Sequence, residues 1–188
     1  MSKKARIDHE ILSILEDYHL FIESDKSVDM PFCVDRVDNN HITALKGEAE
    51  LFSESPFGNT ILQCQVRDRS EYNYSISILS DRIKSRMLFR LDEGDGVHWN
   101  RHLPIPIEQQ QVPTPHFHMK GDDGIEYAYQ SNSLKEGPNP LNIHDGFSAF
   151  CEECHICNGN AEIMVQEQDA LPFRFEPVLD PLNGVKFP

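Results

Sequence analysis

The sequence predicts an α+β fold: an antiparallel meander sheet flanked by an N-terminal helix and a late C-terminal helix, with a proline-rich C-terminal tail. Three observations predict it. Apolar residues recur at helical spacing near the start, where Ile11, Ile14, Leu15, Tyr18 and Phe21 form one stripe. The period then changes to two, most cleanly at Tyr72, Tyr74, Ile76 and Ile78. A second helical stripe returns late, through Phe147, Phe150, Cys151 and Cys154. Strands joined by short polar turns, with helices before and after them, define the class.

Taken in order, the first helix spans residues 8 to 23, with Asp8 placed as its N-cap. Residues 23 to 40 read as a loop containing one short extended piece, Met30 to Val34. A weakly alternating strand covers Ala44 to Ala49. Leu62, Cys64 and Val66 mark the next, followed by the Tyr72–Ile78 run and then Met87, Phe89 and Leu91. Pro115 to Met119 and Ile125 to Tyr129 flank a turn-like stretch ending at Gly124 and are expected to form a hairpin. Asn132 to Asn142 reads as a linker, and Asn142 or Asp145 would cap the second helix. A short strand is expected over Ala161 to Val165. The tail, with Pro172, Pro177, Pro181 and Pro188, cannot be regular helix. The whole chain, 1–188, reads as a single domain with a C-terminal extension over 158–188.

Composition narrows the function. The formal net charge is −14, so the overall field repels phosphate backbones and anionic membranes. Nucleic acid is therefore expected only at a locally favourable site, whereas a basic protein partner suits the acidic surface. No apolar run approaches the length of a membrane span. Five cysteines, three of them clustered, do not resemble a secreted disulfide framework, so a reducing cytoplasmic setting is expected.

The chemistry concentrates between Arg90 and His118. Alternation sends Arg90 and Asp92 to one face of their strand, and His116 and His118 to one face of another. If the two strands pair, a guanidinium, a carboxylate and two imidazoles share a sheet face. His98 or His102 would supply a further imidazole. Such groups suit acid–base catalysis, with Arg90 holding a phosphate or carboxylate. His116, His118 and Asp92 also suit zinc or another divalent transition metal. The plainer alternative is the wet face of a half-buried sheet, in a chain with nine histidines. Cys151, Cys154 and Cys157 have zinc-like spacing, but Cys151 and Cys154 continue the apolar helix stripe and core packing is preferred.

These elements resemble a family of small bacterial and phage proteins, a domain of unknown function. Its pattern matches Arg90 and Asp92, then His98 and Asn100, then Pro115, His116 and His118, then Tyr127 and Tyr129, and finally Cys154 and Ile156. The likeness covers residues 60 to 157. This chain departs from the pattern by inserting Leu103 to Gln111 and by its C-terminal extension. The pattern needs only the cysteine at Cys154, which also weighs against a zinc role for Cys151 and Cys157. The setting is similar to that of small toxins of toxin–antitoxin pairs, some of which use His and Arg clusters to cleave or modify RNA. By analogy the resemblance implies a cytoplasmic protein of a mobile element or phage acting on a phosphate-containing substrate such as RNA. The alternative is a non-enzymatic acidic protein that binds a host or defence protein.

Overall fold

The computed structural model describes residues 7–38, 41–54, 57, 59–94, 96–157 and 162–166. The expected proline-rich tail lies outside them. In chain order the elements are α1 (His9–Leu12), α2 (Leu15–Glu23), β1 (Lys26–Val28), β2 (Phe32–Val34), β3 (Arg36–Asp38), β4 (His41–Ser53), β5 (Thr60–Val66), β6 (Tyr74–Ser80) and β7 (Met87–Glu93). Then follow β8 (His98–Trp99), a 3-10 turn (Ile107–Gln109), β9 (Gln111–Val112), β10 (His116–Lys120), β11 (Glu126–Tyr129), α3 (Asn132–Glu136), α4 (Ile143–Glu153) and β12 (Ile163–Val165). The result is an α+β molecule dominated by one large antiparallel sheet, with few helices. Among the described residues, no helix is long and apolar enough to cross a membrane.

The main sheet runs β1-β4-β5-β6-β7-β10-β11, with β3 also pairing to β4. Its register separates two chemistries. Leu62, Ile78 and Phe89 are directly opposite one another, as are Cys64, Ile76 and Leu91, with Phe117 continuing the latter row. All of these are buried. The alternate rows carry Gln63, Ser77, Arg90 and His118, and Gln65, Ser75, Asp92 and His116. A period of two thus yields one apolar face and one polar face.

Helices and β2 cover the apolar face. Phe150 of α4 meets Phe89 edge-on, and Phe147 stacks on Phe32. The close approach of α4 to β6 requires Gly146, because a Cβ there would run into the Tyr74 hydroxyl. Gly47 serves β2 similarly: a side chain would strike the Cys33 carbonyl. Tyr18 of α2 donates to the Leu88 carbonyl at 2.9 Å and accepts from the Lys120 amide at 2.9 Å. Lys26 Nζ, buried, donates to the carbonyls of Ile22, Ser24 and Cys154, joining the C-terminal ends of α2 and α4.

The structure differs from expectation in several places. The first helical stretch is divided at Ser13–Ile14 into α1 and α2, with Asp8 accepting from the Glu10 and Ile11 amides. The segment read as a linker contains α3, where Ser131 accepts from the Leu134 amide. Of the two caps expected for the second helix, Asn142 is the one used, accepting from the His144 and Asp145 amides. The short strand expected near residue 163 is present as β12 and pairs in parallel with β2.

Candidate functional site

The site lies on the polar face at the β7-β10-β11 end of the sheet. Pairing of β7 with β10 sets His116 opposite Asp92 and His118 opposite Arg90. The β10–β11 hairpin sets Lys120 opposite Glu126 and His118 opposite Ala128. Residues opposite one another share a face, so Arg90, Asp92, His116, His118 and Glu126 converge. Asp92, His116 and His118 are each 2% exposed.

His98 arrives from the β8–β9 ribbon. Asn100, two residues on, behaves as a piece of extra strand: its amide donates to the Ala128 carbonyl at 2.7 Å and accepts from the Ala128 N–H at 2.8 Å. This seals the edge of β11 and brings His98 over the cluster. The ring of His98 is 4.8 Å from that of His118 between centroids, and the His116 and His118 rings are 4.7 Å apart. Trp99, between His98 and Asn100, points outward, with Arg101 over its ring.

His118 is flanked by acids. Its Nε2 lies 3.1 Å from Asp92 Oδ2, and its Nδ1 lies 3.1 Å from Glu126 Oε1. Arg90 Nε lies 2.9 Å from the same Asp92 oxygen. These are charge contacts rather than aligned hydrogen bonds. Both nitrogens of His118, Arg90 Nε and Asp92 Oδ1 are buried without a hydrogen-bond partner. His116 is held differently, its Nδ1 lying 3.2 Å from the Pro113 carbonyl.

The electrostatics separate the three imidazoles. Burial would lower His118, but Asp92 and Glu126 outweigh it and raise its pKa. Burial, reinforced by the His118 charge, pushes His116 down to about 4 and lowers His98 also. The carboxyl of Asp92 is held below its usual range despite burial, by His118 and Arg90. Glu126 is drawn down to about 2 against its burial, by His118, Lys120 and Arg90.

Of the residues expected from sequence, Arg90, Asp92, His98, His116 and His118 come together. His102 does not join them; it lines a separate recess with Leu103, Gly121, Asp122, Asp123 and Tyr127. Cys151 and Cys154 are buried at the end of α4, and Cys157 is exposed. Among the described residues, the group able to hold a metal ion is His98, His116 and His118, whose ligand atoms lie within 4.8 Å of one another. Glu126 and Lys120 were not singled out in the sequence. Their signal is the hairpin alternation, which carries the face of His116 and His118 on through Lys120 and back through Glu126.

Compared with family models, curated proteins and solved structures, the chain matches none of them.

Proposed function

We propose that this cluster is the catalytic centre of an enzyme acting on a phosphate-containing substrate, with RNA the first to test. The observation that carries the reading is His118 fixed between Asp92 and Glu126, with His116 beside it and the Arg90 side chain 31% exposed at the rim. An imidazole oriented by carboxylates is the arrangement that proton transfer needs. Arg90 would meet the charge that develops on a phosphoryl oxygen. His98 and His116 would complete the acid–base set, and Asp92 would orient His118.

The chain as a whole carries −14, but at this site Arg90 and Lys120 stand against Asp92 and Glu126, with Asp8 3.9 Å from Lys120 and His118 held towards its charged form. A polyanion would therefore meet less repulsion here than elsewhere. The setting implied by the resemblance, a cytoplasmic toxin-like protein of a mobile element or phage, belongs to the same proposal.

The test is cleavage of labelled RNA and of a bis(aryl) phosphate by the full chain, against His116→Ala/His118→Ala. Turnover that disappears in the folded double variant supports the reading; equal turnover in both proteins removes it. A second reading, an acidic protein that binds a basic host or defence protein, is favoured by the −14 charge. Salt-sensitive capture of a basic partner, undiminished by the double histidine variant, would favour it.

A further inference from the structure

We propose that the cluster binds one divalent transition-metal ion, zinc being the simplest occupant, through Nε2 of His116, Nε2 of His118, a ring nitrogen of His98 and the carboxylate of Asp92. The three imidazoles already have ligand atoms within 4.8 Å of one another. What identifies the ligating atoms is the arrangement behind them. A histidine that binds metal through one nitrogen usually gives its other N–H to a carbonyl or carboxylate. The Nδ1 of His116 faces the Pro113 carbonyl, and the Nδ1 of His118 faces Glu126. His116 is thereby left with Nε2 as its outward donor; His118, with a carboxylate 3.1 Å from each nitrogen, offers Nε2 when Glu126 rather than Asp92 takes the ring proton.

The contact between His118 and Asp92 points the same way. The Nε2 to Oδ2 separation is 3.1 Å, yet it is not an aligned hydrogen bond. Donors about 2.0–2.1 Å from one ion lie about 3.0 Å apart along an octahedral edge and about 3.4 Å apart along a tetrahedral edge. A separation of 3.1 Å without hydrogen-bond geometry falls between those two edges and fits two ligands of one ion. The buried, unpartnered Asp92 Oδ1 adds a second oxygen in need of a partner. Nitrogen and oxygen donors of this kind suit zinc and its neighbours in the first transition row.

As the cofactor of a phosphate-cleaving centre, the ion rests on the function proposed above, and in the loaded protein the three imidazoles would serve as its ligands rather than as proton carriers; the binding itself does not rest on that function. A bound ion would polarise a phosphoryl oxygen or supply a more acidic water.

The experiment uses the full chain without a polyhistidine tag, stripped with chelator, dialysed and titrated with Co²⁺ or Zn²⁺ alone. The expected result is one equivalent bound, and a visible cobalt spectrum lacking the near-ultraviolet thiolate band. His116→Ala and His118→Ala should each weaken binding at least about 100-fold, and Glu126→Gln about 10–100-fold through the ligand it orients. X-ray absorption of the zinc-loaded wild-type protein should show imidazole scattering and no sulfur, which decides the matter even if a histidine variant fails to fold. No stoichiometric binding, sulfur ligands, or histidine variants of undiminished affinity would overturn the proposal. Stoichiometric metal on these ligands without phosphate cleavage supports this site while removing the catalytic reading. Cleavage that persists in a chelator-stripped protein unable to bind metal does the reverse.

Discussion

Asn100 satisfies both backbone groups of Ala128, accepting from its N–H at 2.8 Å and donating to its carbonyl at 2.7 Å. One side chain therefore takes the place of a further strand at the edge beside His118. It also fixes the ribbon that carries His98, two residues earlier, so edge protection and site assembly depend on the same amide.

Replacing Asn100 by Ala should leave two buried backbone groups unpaired and cost about 2–3 kcal/mol. Amide exchange at Ala128 should accelerate well beyond that at Phe117, in the strand interior. Protection at Ala128 equal to wild type would refute the capping role.

The acidic cluster sets a pH dependence for the metal-free protein. Glu126 has a folded pKa of about 2 against an ordinary 4.5, so its contribution is complete above 4.5 and is lost as pH falls towards 2. That contribution is at most about 3 kcal/mol. His118 is raised, so its contribution is complete below its ordinary 6.5 and fades as pH rises through the higher folded value. His116 is lowered to about 4, so acidification from 6.5 to 4 favours the unfolded chain, which takes up that proton first. Urea unfolding in chelator across this range should show Glu126→Gln losing less stability than wild type below pH 4.5. Parallel curves there would rule out the coupling.

Gly146→Ala should destabilise the fold by about 1–3 kcal/mol, since the new methyl group would occupy the space of the Tyr74 hydroxyl. Adding Tyr74→Phe should restore part of the loss, although it also removes the hydroxyl's 3.2 Å bond to the Asn142 carbonyl. Thermal melts of the two single variants and the double variant measure the coupling. Strict additivity would show that the contact between α4 and β6 is not the cause.

Tyr18→Phe should cost about 1–3 kcal/mol, because the Lys120 amide loses its acceptor in a buried place. Denaturant midpoints should fall without a change in slope. A variant as stable as wild type would mean that the amide finds another acceptor.

Much of the site could be read in advance because it sits on strands. Alternation on β7 and β10 puts Arg90 with Asp92 and His116 with His118, and burial of Phe89, Leu91 and Phe117 on the opposite face fixes the register. The alternation at Leu62, Cys64 and Val66 falls on the strand Thr60–Val66, and that from Tyr72 to Ile78 on Tyr74–Ser80, which begins two residues later because Tyr72 is exposed. What escaped were features without a period. The strands β1 and β3 have three residues each, too few to repeat. The ribbon that delivers His98 has two-residue strands and is positioned by the Asn100 side chain, a long-range contact invisible in local pattern. His102 shares the ribbon's sequence neighbourhood but lines another recess.

The Lys26 ammonium has a consequence for how the chain is made. Its three acceptors come from residues 22, 24 and 154, so the last of them leaves the ribosome long after Lys26 itself. Nearby, β2 waits for β12, whose residues follow later still. A nascent chain halted before residue 147 would lack both the Cys154 carbonyl that accepts from Lys26 and the Phe147 ring that stacks on Phe32. During synthesis, then, the N-terminal helices and β2 cannot complete their packing until α4 and β12 have emerged.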